Sequence, residues 1–349
     1  MNITFFIGNG FDLNLGLKTG YKSFYEYYTK ACPEDMLSKA ISADYELWAD
    51  LELGLGEYLA EIEDSQLDDF LDSKELLEGH LSLYLQNQMN RVQIKNKEEF
   101  VNEFIENVGG FYNEFPLSEQ RAYKKFLSET GESLVYQFVS FNYTDTLDRL
   151  IKSFLSAKKP VASHKCRNTG FGDIVVDPIH IHGDVNSIIL GLNDETQIKN
   201  ESFQSNGDLM NYIIKERVNN ALGELRIETV KRTMENRENS KYICVFGMSI
   251  GDTDNMWWVA IIEWLLKDPS RKLVLYVRDG STIQSVSSQK SVRLMARKRK
   301  HLLNKKLSLD DAQKKSIRNR IIIVKNPKIF SFKSVEVKED SNGQTENAQ

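Results

Sequence analysis

Cysteine, proline and long apolar runs are all scarce in this chain. Its three cysteines, Cys32, Cys166 and Cys244, are too few and too scattered for a disulfide framework, a CxxC redox pair or a four-cysteine zinc site. A reducing compartment fits that usage. The longest apolar stretch, residues 256–266, is interrupted by Glu263 and falls short of the ~18 residues that a membrane span needs. The opening MNITFFIGNGFD has neither the basic n-region nor the small-residue cleavage site of a secretory signal. A cytoplasmic protein without a membrane partner is therefore the expectation. No repeat of 20 to 50 residues is present, which excludes solenoids and propellers. What the chain does have is 349 residues, 41% of them hydrophobic and 27% charged, enough for a large folded core.

The net charge is only −5, yet it is unevenly spread. Residues 44–78 hold thirteen acidic side chains and one lysine, whereas residues 290–325 hold thirteen basic ones against Asp310 and Asp311. Mutually compensating or solvated helix faces are the first reading of such asymmetry, and pairing across a homo-oligomer is the second. A nucleic-acid surface is a third reading and is not favoured.

Residues 2–7 read as a nearly all-apolar buried strand that breaks at Gly8-Asn9-Gly10. Residues 21–132 are rich in Glu, Lys, Leu and aromatics at three- and four-residue spacings, which predicts a helical block. Strands are then expected at 134–141, 175–182, 187–190, 242–246, 272–277 and 320–324. Between them lie helices at 144–156, 208–237 and 255–266, and basic helices between 284 and 317. Alternating strands and helices argue for an α/β, doubly wound parallel sheet with a large helical insertion after the first strand. The organisation read from this is a core of residues 1–20 and 133–330, an insertion at 21–132, and a tail at 331–349 whose end is expected to be disordered.

In such a sheet, ligands bind beyond the carboxyl ends of the strands. Four places qualify. Gly8-Asn9-Gly10-Phe11-Asp12 opens a helix and suits either a phosphate cradle or a plain glycine turn capped by Asp12; the third glycine of GxGxxG would fall at Leu13. Phe141-Asn142-Tyr143-Thr144-Asp145-Thr146 is a polar cluster at a strand end, or an ordinary helix cap. In His180-Ile181-His182-Gly183-Asp184, alternation points both histidines to one face. No set of metal ligands accompanies them, so no metal is expected, and His182 is the better general base. Phe246-Gly247-Met248-Ser249-Ile250-Gly251 matches GxSxG, but the acid and base of a serine hydrolase would have to be Asp279 and His301. His301 lies within a basic helix, which leaves a phosphate or ribose loop as the preferred reading. Trp257, Trp258 and Trp264 fall at helical spacing and read as core.

Taken together, GNGFD, FNYTDTL, IHIHGD followed by ILGLND, and FGMSIGDTDN resemble the bacterial abortive-infection AbiH family, from residue 3 to about 258. That family in turn is similar to the sirtuin-like NAD-binding fold. The resemblance implies NAD as substrate and cleavage of its nicotinamide N-glycosidic bond. It puts Gly8 and Gly10 at the pyrophosphate and Gly247 and Ser249 at the phosphates; Asn9, Asp12, Thr144, Asp145, Gly183 and Asp279, beside them at the strand ends, complete the expected cofactor-binding set. Asn142 would hold ribose or water, and His182 would act as base. Protein deacetylation is not expected, because three cysteines cannot build the sirtuin zinc module. Control by assembly or by a phage-derived trigger is expected, with the helical block as its seat. The alternatives are a nucleotide-binding switch or toxin subunit without turnover, and a nucleic-acid-binding effector.

Overall fold

A strand with no polar alternation, such as Asn2–Ile7, can only sit inside a sheet covered on both faces. The computed structural model places it there; it describes residues 1–221, 226–235, 240–251, 253–278, 288–306 and 308–339. The strands are β1 (Asn2–Ile7), β2 (Val92–Ile94), β3 (Val135–Ser140), β4 (Ala162–Cys166), β5 (Thr169–Val175), β6 (Ile179–His180), β7 (Gly183–Asp184), β8 (Ser187–Ile188), β9 (Ser240–Phe246), β10 (Lys272–Val277), β11 (Ile321–Lys325) and β12 (Val335–Val337). The main sheet runs β11-β10-β9-β1-β3-β5-β4, with β6 beside the end of β3. All its pairings are parallel except β4 with β5.

Alternate residues of the strands feed two cores. Ile3, Phe5 and Ile7 join Tyr136, Phe138, Cys244 and Tyr276 on one face. Helices Lys97–Phe104, Leu117–Glu129 and Thr146–Leu155 cover that face. Phe6 joins Val139, Ile243, Val245 and Leu275 on the other. There the cover is Arg226–Glu235, Asn255–Lys267, Ser288–Asn304 and Asp311–Arg318. Trp257, Trp258 and Trp264 are buried in this second core, as their spacing predicts. The molecule is thus a mixed α/β protein with a mostly parallel sheet flanked by helices. A third core lies off the sheet, where helices Tyr21–Ala31, Met36–Ala43, Leu51–Tyr58 and Leu67–Met89 pack with apolar residues of segment 185–214. No helix among the described residues is long and apolar enough to cross a membrane.

Several elements differ from the sequence expectation. The expected helix 208–237 is interrupted at Ile214, between Gly207–Ile213 and Lys215–Ala221; Arg226–Glu235 is also helical, and residues 222–225, 236 and 237 lie outside the described residues. Ile214 is extended and forms a bridge with Leu192, and the Lys215 N–H donates to the Leu192 carbonyl at 2.9 Å. The expected strand 175–182 ends at Val175 and resumes at Ile179, across Pro178, which has no N–H to give a ladder. The β4–β5 hairpin escaped the sequence reading, as did β2, which pairs antiparallel with β12. Residues 333–338 are therefore held: the Glu103 carboxylate accepts from the Lys333 and Ser334 N–H groups, and the Lys338 N–H donates to the Arg91 carbonyl. The end of the tail, 340–349, lies outside the described residues.

Candidate active site

β1 has its next-in-sequence sheet partner, β3, on one side and β9 on the other. The chain's progress across the sheet reverses there, which opens a crevice at the carboxyl ends of β1 and β9. Two glycine turns meet at that crevice. Gly8 N–H donates to the Phe246 carbonyl and Gly10 N–H to the Gly247 carbonyl, both at 2.9 Å. A Cβ on Gly10 would stand 2.4 Å from Gly247 Cα, and one on Gly8 would stand 2.7 Å from the Gly247 oxygen. Gly247 itself has φ +71°, which favours glycine. These glycines are required because the two turns touch each other. Phe11 N–H also donates back to the Gly8 carbonyl at 2.9 Å, so the N–H groups of Gly8, Gly10 and Phe11 are all used within the protein. Asn9 is likewise engaged: its amide donates to the Thr19 carbonyl at 3.0 Å and accepts from the Thr19 hydroxyl at 2.5 Å.

Beside this junction lies a cleft of about 390 Å³. Gly8, Asn9, Gly10, Gly247 and Ser249 form one side of it and His182 another. His182 is presented by the β7–β8 hairpin, whose turn needs Gly183: its φ is +78°, and a Cβ there would meet the Ser187 oxygen at 1.8 Å. The imidazole Nε2 lies 3.5 Å from Asp254 Oδ1, while Nδ1 is buried without a partner. Phe141 packs edge-on against the ring at 5.7 Å, and Tyr143 lies at 6.4 Å. The remaining wall comes from the helical segment: Tyr21, Ala49, Asp50 and Glu52.

Three carboxylates, Asp50, Glu52 and Asp254, line the cleft, and no lysine or arginine does among the described residues. Glu52 is 8% exposed and its Oε2 accepts from Lys215 Nζ at 2.7 Å. Burial raises the Glu52 carboxyl above its ordinary value, opposed by Lys215 and His182. Burial also raises Asp50, against N–H bonds from Leu53 and Glu52. For Asp254 burial pulls upward too, but the bond and charge of His182, with Lys215, outweigh it and hold the group below the usual range. Asp254 therefore stays ionised beside His182.

Behind the cleft is a second polar group of residues. In the loop that follows β3, Phe141 and Tyr143 line the cleft, whereas Asn142 and Thr144 do not. Thr144 donates to Asp12 Oδ2 at 2.6 Å. Asp12 is 1% exposed, its Oδ1 has no partner, and burial pushes its carboxyl up to about 7. His180 Nδ1 bonds the Asn142 carbonyl at 2.9 Å and its Nε2 bonds Asp148 at 2.8 Å. Asn142 Oδ1 is buried without a partner. Asp145 precedes helix Thr146–Leu155 and pairs with Arg149 at 2.7 Å.

Of the residues singled out in the sequence, Gly8, Asn9, Gly10, His182, Gly247 and Ser249 meet in the cleft. Asp12, Asn142, Thr144 and Asp145 are not among the lining residues, and Gly183 serves the hairpin. Asp279 lies outside the described residues. The two histidines do not share a site, since His180 is tied to Asp148. His301 is exposed on its helix. Sequence reasoning missed Tyr21, Asp50, Glu52, Phe141, Tyr143 and Asp254 as cleft residues. Phe141, Tyr143 and Asp254 stood inside quoted motifs; nothing local marks the other three.

The molecule is thus of the mixed α/β class, a mostly parallel sheet flanked by helices with a histidine–carboxylate cleft at its reversal point. Within that class, the chain belongs to the bacteriophage abortive infection AbiH family, matching over residues 4–276. Membership suggests a bacterial anti-phage, abortive-infection role. No curated protein matches the chain at a significant level.

Proposed function

We propose that this protein defends the cell by hydrolysing NAD at the nicotinamide N-glycosidic bond, on a sirtuin-like, doubly wound core. The observation that carries this reading is the His182–Asp254 pair in a carboxylate-lined cleft beside the two glycine turns. The nicotinamide ring of NAD bears a positive charge, and its loss spreads positive charge over the ribose. Asp50, Glu52 and Asp254 are placed to favour both, and fixed charges in a partly dry site act without reorganising. Water adds to the anomeric carbon as the C–N bond breaks; nicotinamide leaves neutral and one proton is released. His182 accepts that proton, and ionised Asp254 stabilises the imidazolium that forms. Asn142 lies outside the lining of the cleft, so no contact with the water or the ribose is assigned to it.

The helical segment supplies Tyr21, Asp50 and Glu52, so displacing it would dismantle one wall. That is where a phage-derived trigger or self-assembly would act. Incubating the protein with NAD and following nicotinamide release tests the reading. Release that is lost in His182→Ala supports it; tight NAD binding with no release, at any protein concentration and with infected-cell extract added, points to a binding switch instead.

A further inference from the structure

The 247–249 turn has two sides, and only one faces the His182 cleft. On the other, between the ends of β9 and β10, is a groove of about 250 Å³. Gly10, Gly247, Met248 and Ser249 line both cavities. The two differ in charge. The groove is lined by Arg278, which directly follows β10, and by Lys298, from helix Ser288–Asn304, with no acidic side chain among its described lining residues. The cleft has the reverse, three carboxylates and no lysine or arginine among its described lining residues. A phosphate in the cleft would face those carboxylates at short range; in the groove it would face two cations.

We propose that the Arg278–Lys298 groove is a phosphate subsite, and that a nucleotide lies across the 247–249 turn with its phosphates in the groove and its phosphate-free end in the cleft. Apolar groove residues, Trp258 and Leu275 among them, lower the local dielectric and strengthen the charge-assisted bonds that a guanidinium and an ammonium make to phosphate oxygens. The backbone of the turn separates the two cavities, and Gly10, Gly247 and Ser249 border both. The placement rests on the NAD reading only for which group enters the cleft; the subsite itself requires a phosphate ester or pyrophosphate of any origin.

Binding is measured on the full chain carrying His182→Ala, which prevents turnover, with three probes: NAD, inorganic pyrophosphate and nicotinamide riboside. Arg278→Ala and Lys298→Ala should each weaken NAD and pyrophosphate about tenfold, the equivalent of ~1.4 kcal/mol. Nicotinamide riboside, which has no phosphate, should bind them as before, and Lys298→Arg should retain NAD. Equal weakening of all three probes, or pyrophosphate that fails to displace NAD, overturns the proposal. So does a single-stranded oligonucleotide that binds more tightly than NAD with a steep salt dependence, since the cations would then serve nucleic acid. Absence of nicotinamide release from the unsubstituted protein would sink the cleavage reading alone, because the pyrophosphate result stands without it.

Discussion

His182 and Asp12 are both largely withdrawn from water, and they face opposite consequences. His182 has an ionised carboxylate within reach and a free Nδ1; replacing it with alanine should lower NAD cleavage by ~10²–10⁴ while the fold persists. Comparable melting temperatures and a nicotinamide-release assay check this, and full activity in His182→Ala would end the assignment. Asp12 has a carboxyl raised to about 7 by burial. Between about pH 4 and 7 the folded state holds a proton that the unfolded state has lost, so stability falls as pH rises through that window. Asp12→Asn keeps the acceptor for Thr144 and removes the ionisation, and so should flatten this dependence and be the more stable protein at pH 8. Denaturant midpoints at pH 5 and 8 decide it; parallel pH profiles for both proteins would show that Asp12 is not the source. His182 was legible from its place beside a glycine at a strand end. Asn142 was legible as a polar residue there, but its direction was not, because it lies in the loop beyond β3, where no strand period applies.

At the scale of elements, the apolar parallel strands were readable because burial on both faces removes alternation. β4 and β5 were not, because glycines and exposed polar residues dilute their pattern. Nor could local sequence bring Asp50 and Glu52 to the cleft, since they stand more than forty residues beyond the end of β1 and arrive there through packing of the helical segment. The glycine turns were found for the right residues but with an incomplete reason. Gly10→Val should cost on the order of 3 kcal/mol of stability by overpacking against Gly247, so lost NAD binding in that variant would reflect the turn junction and not a blocked pyrophosphate. A chemical denaturation curve shifted well below that of the parent checks it; an unshifted curve would mean that the turns part without cost. Ser249→Ala is the cleaner probe, because Ser249 lines the cleft without any comparable backbone clash. It should lose only ~0.5–1.5 kcal/mol of ligand affinity, whereas near-complete loss of activity with labelling by a fluorophosphonate would restore a serine nucleophile.

At the scale of the molecule, the two charge blocks lie on different cores. The acidic one belongs to the helical core off the sheet, and the basic one to the helices over the sheet. Lys74 pairs with Glu78 and Lys306 with Glu263. On helix Ser288–Asn304, Arg293, Arg297 and Lys300 are exposed at spacings that share one face. If that face meets the acidic block of a second copy, then self-association should weaken as salt rises. Reversing these three residues to glutamate should then give monomers, and light scattering at two ionic strengths reads the result. A mass indifferent to both would leave solvated faces. Arg299 is omitted because its guanidinium holds the Ile321 carbonyl. The central strand carries a different implication, one of timing. β1 leaves the ribosome first, yet its partners are β3 and, from Ser240 onward, β9. At about 5–20 residues per second the second partner follows roughly 12–48 s later. Until then Gly8 and Gly10 have no turn to close against, and the cleft does not exist. A nascent or prematurely ended chain therefore lacks the cleft altogether, and whatever the cleft does begins only once β9 has been made, an order of events written into the order of the strands.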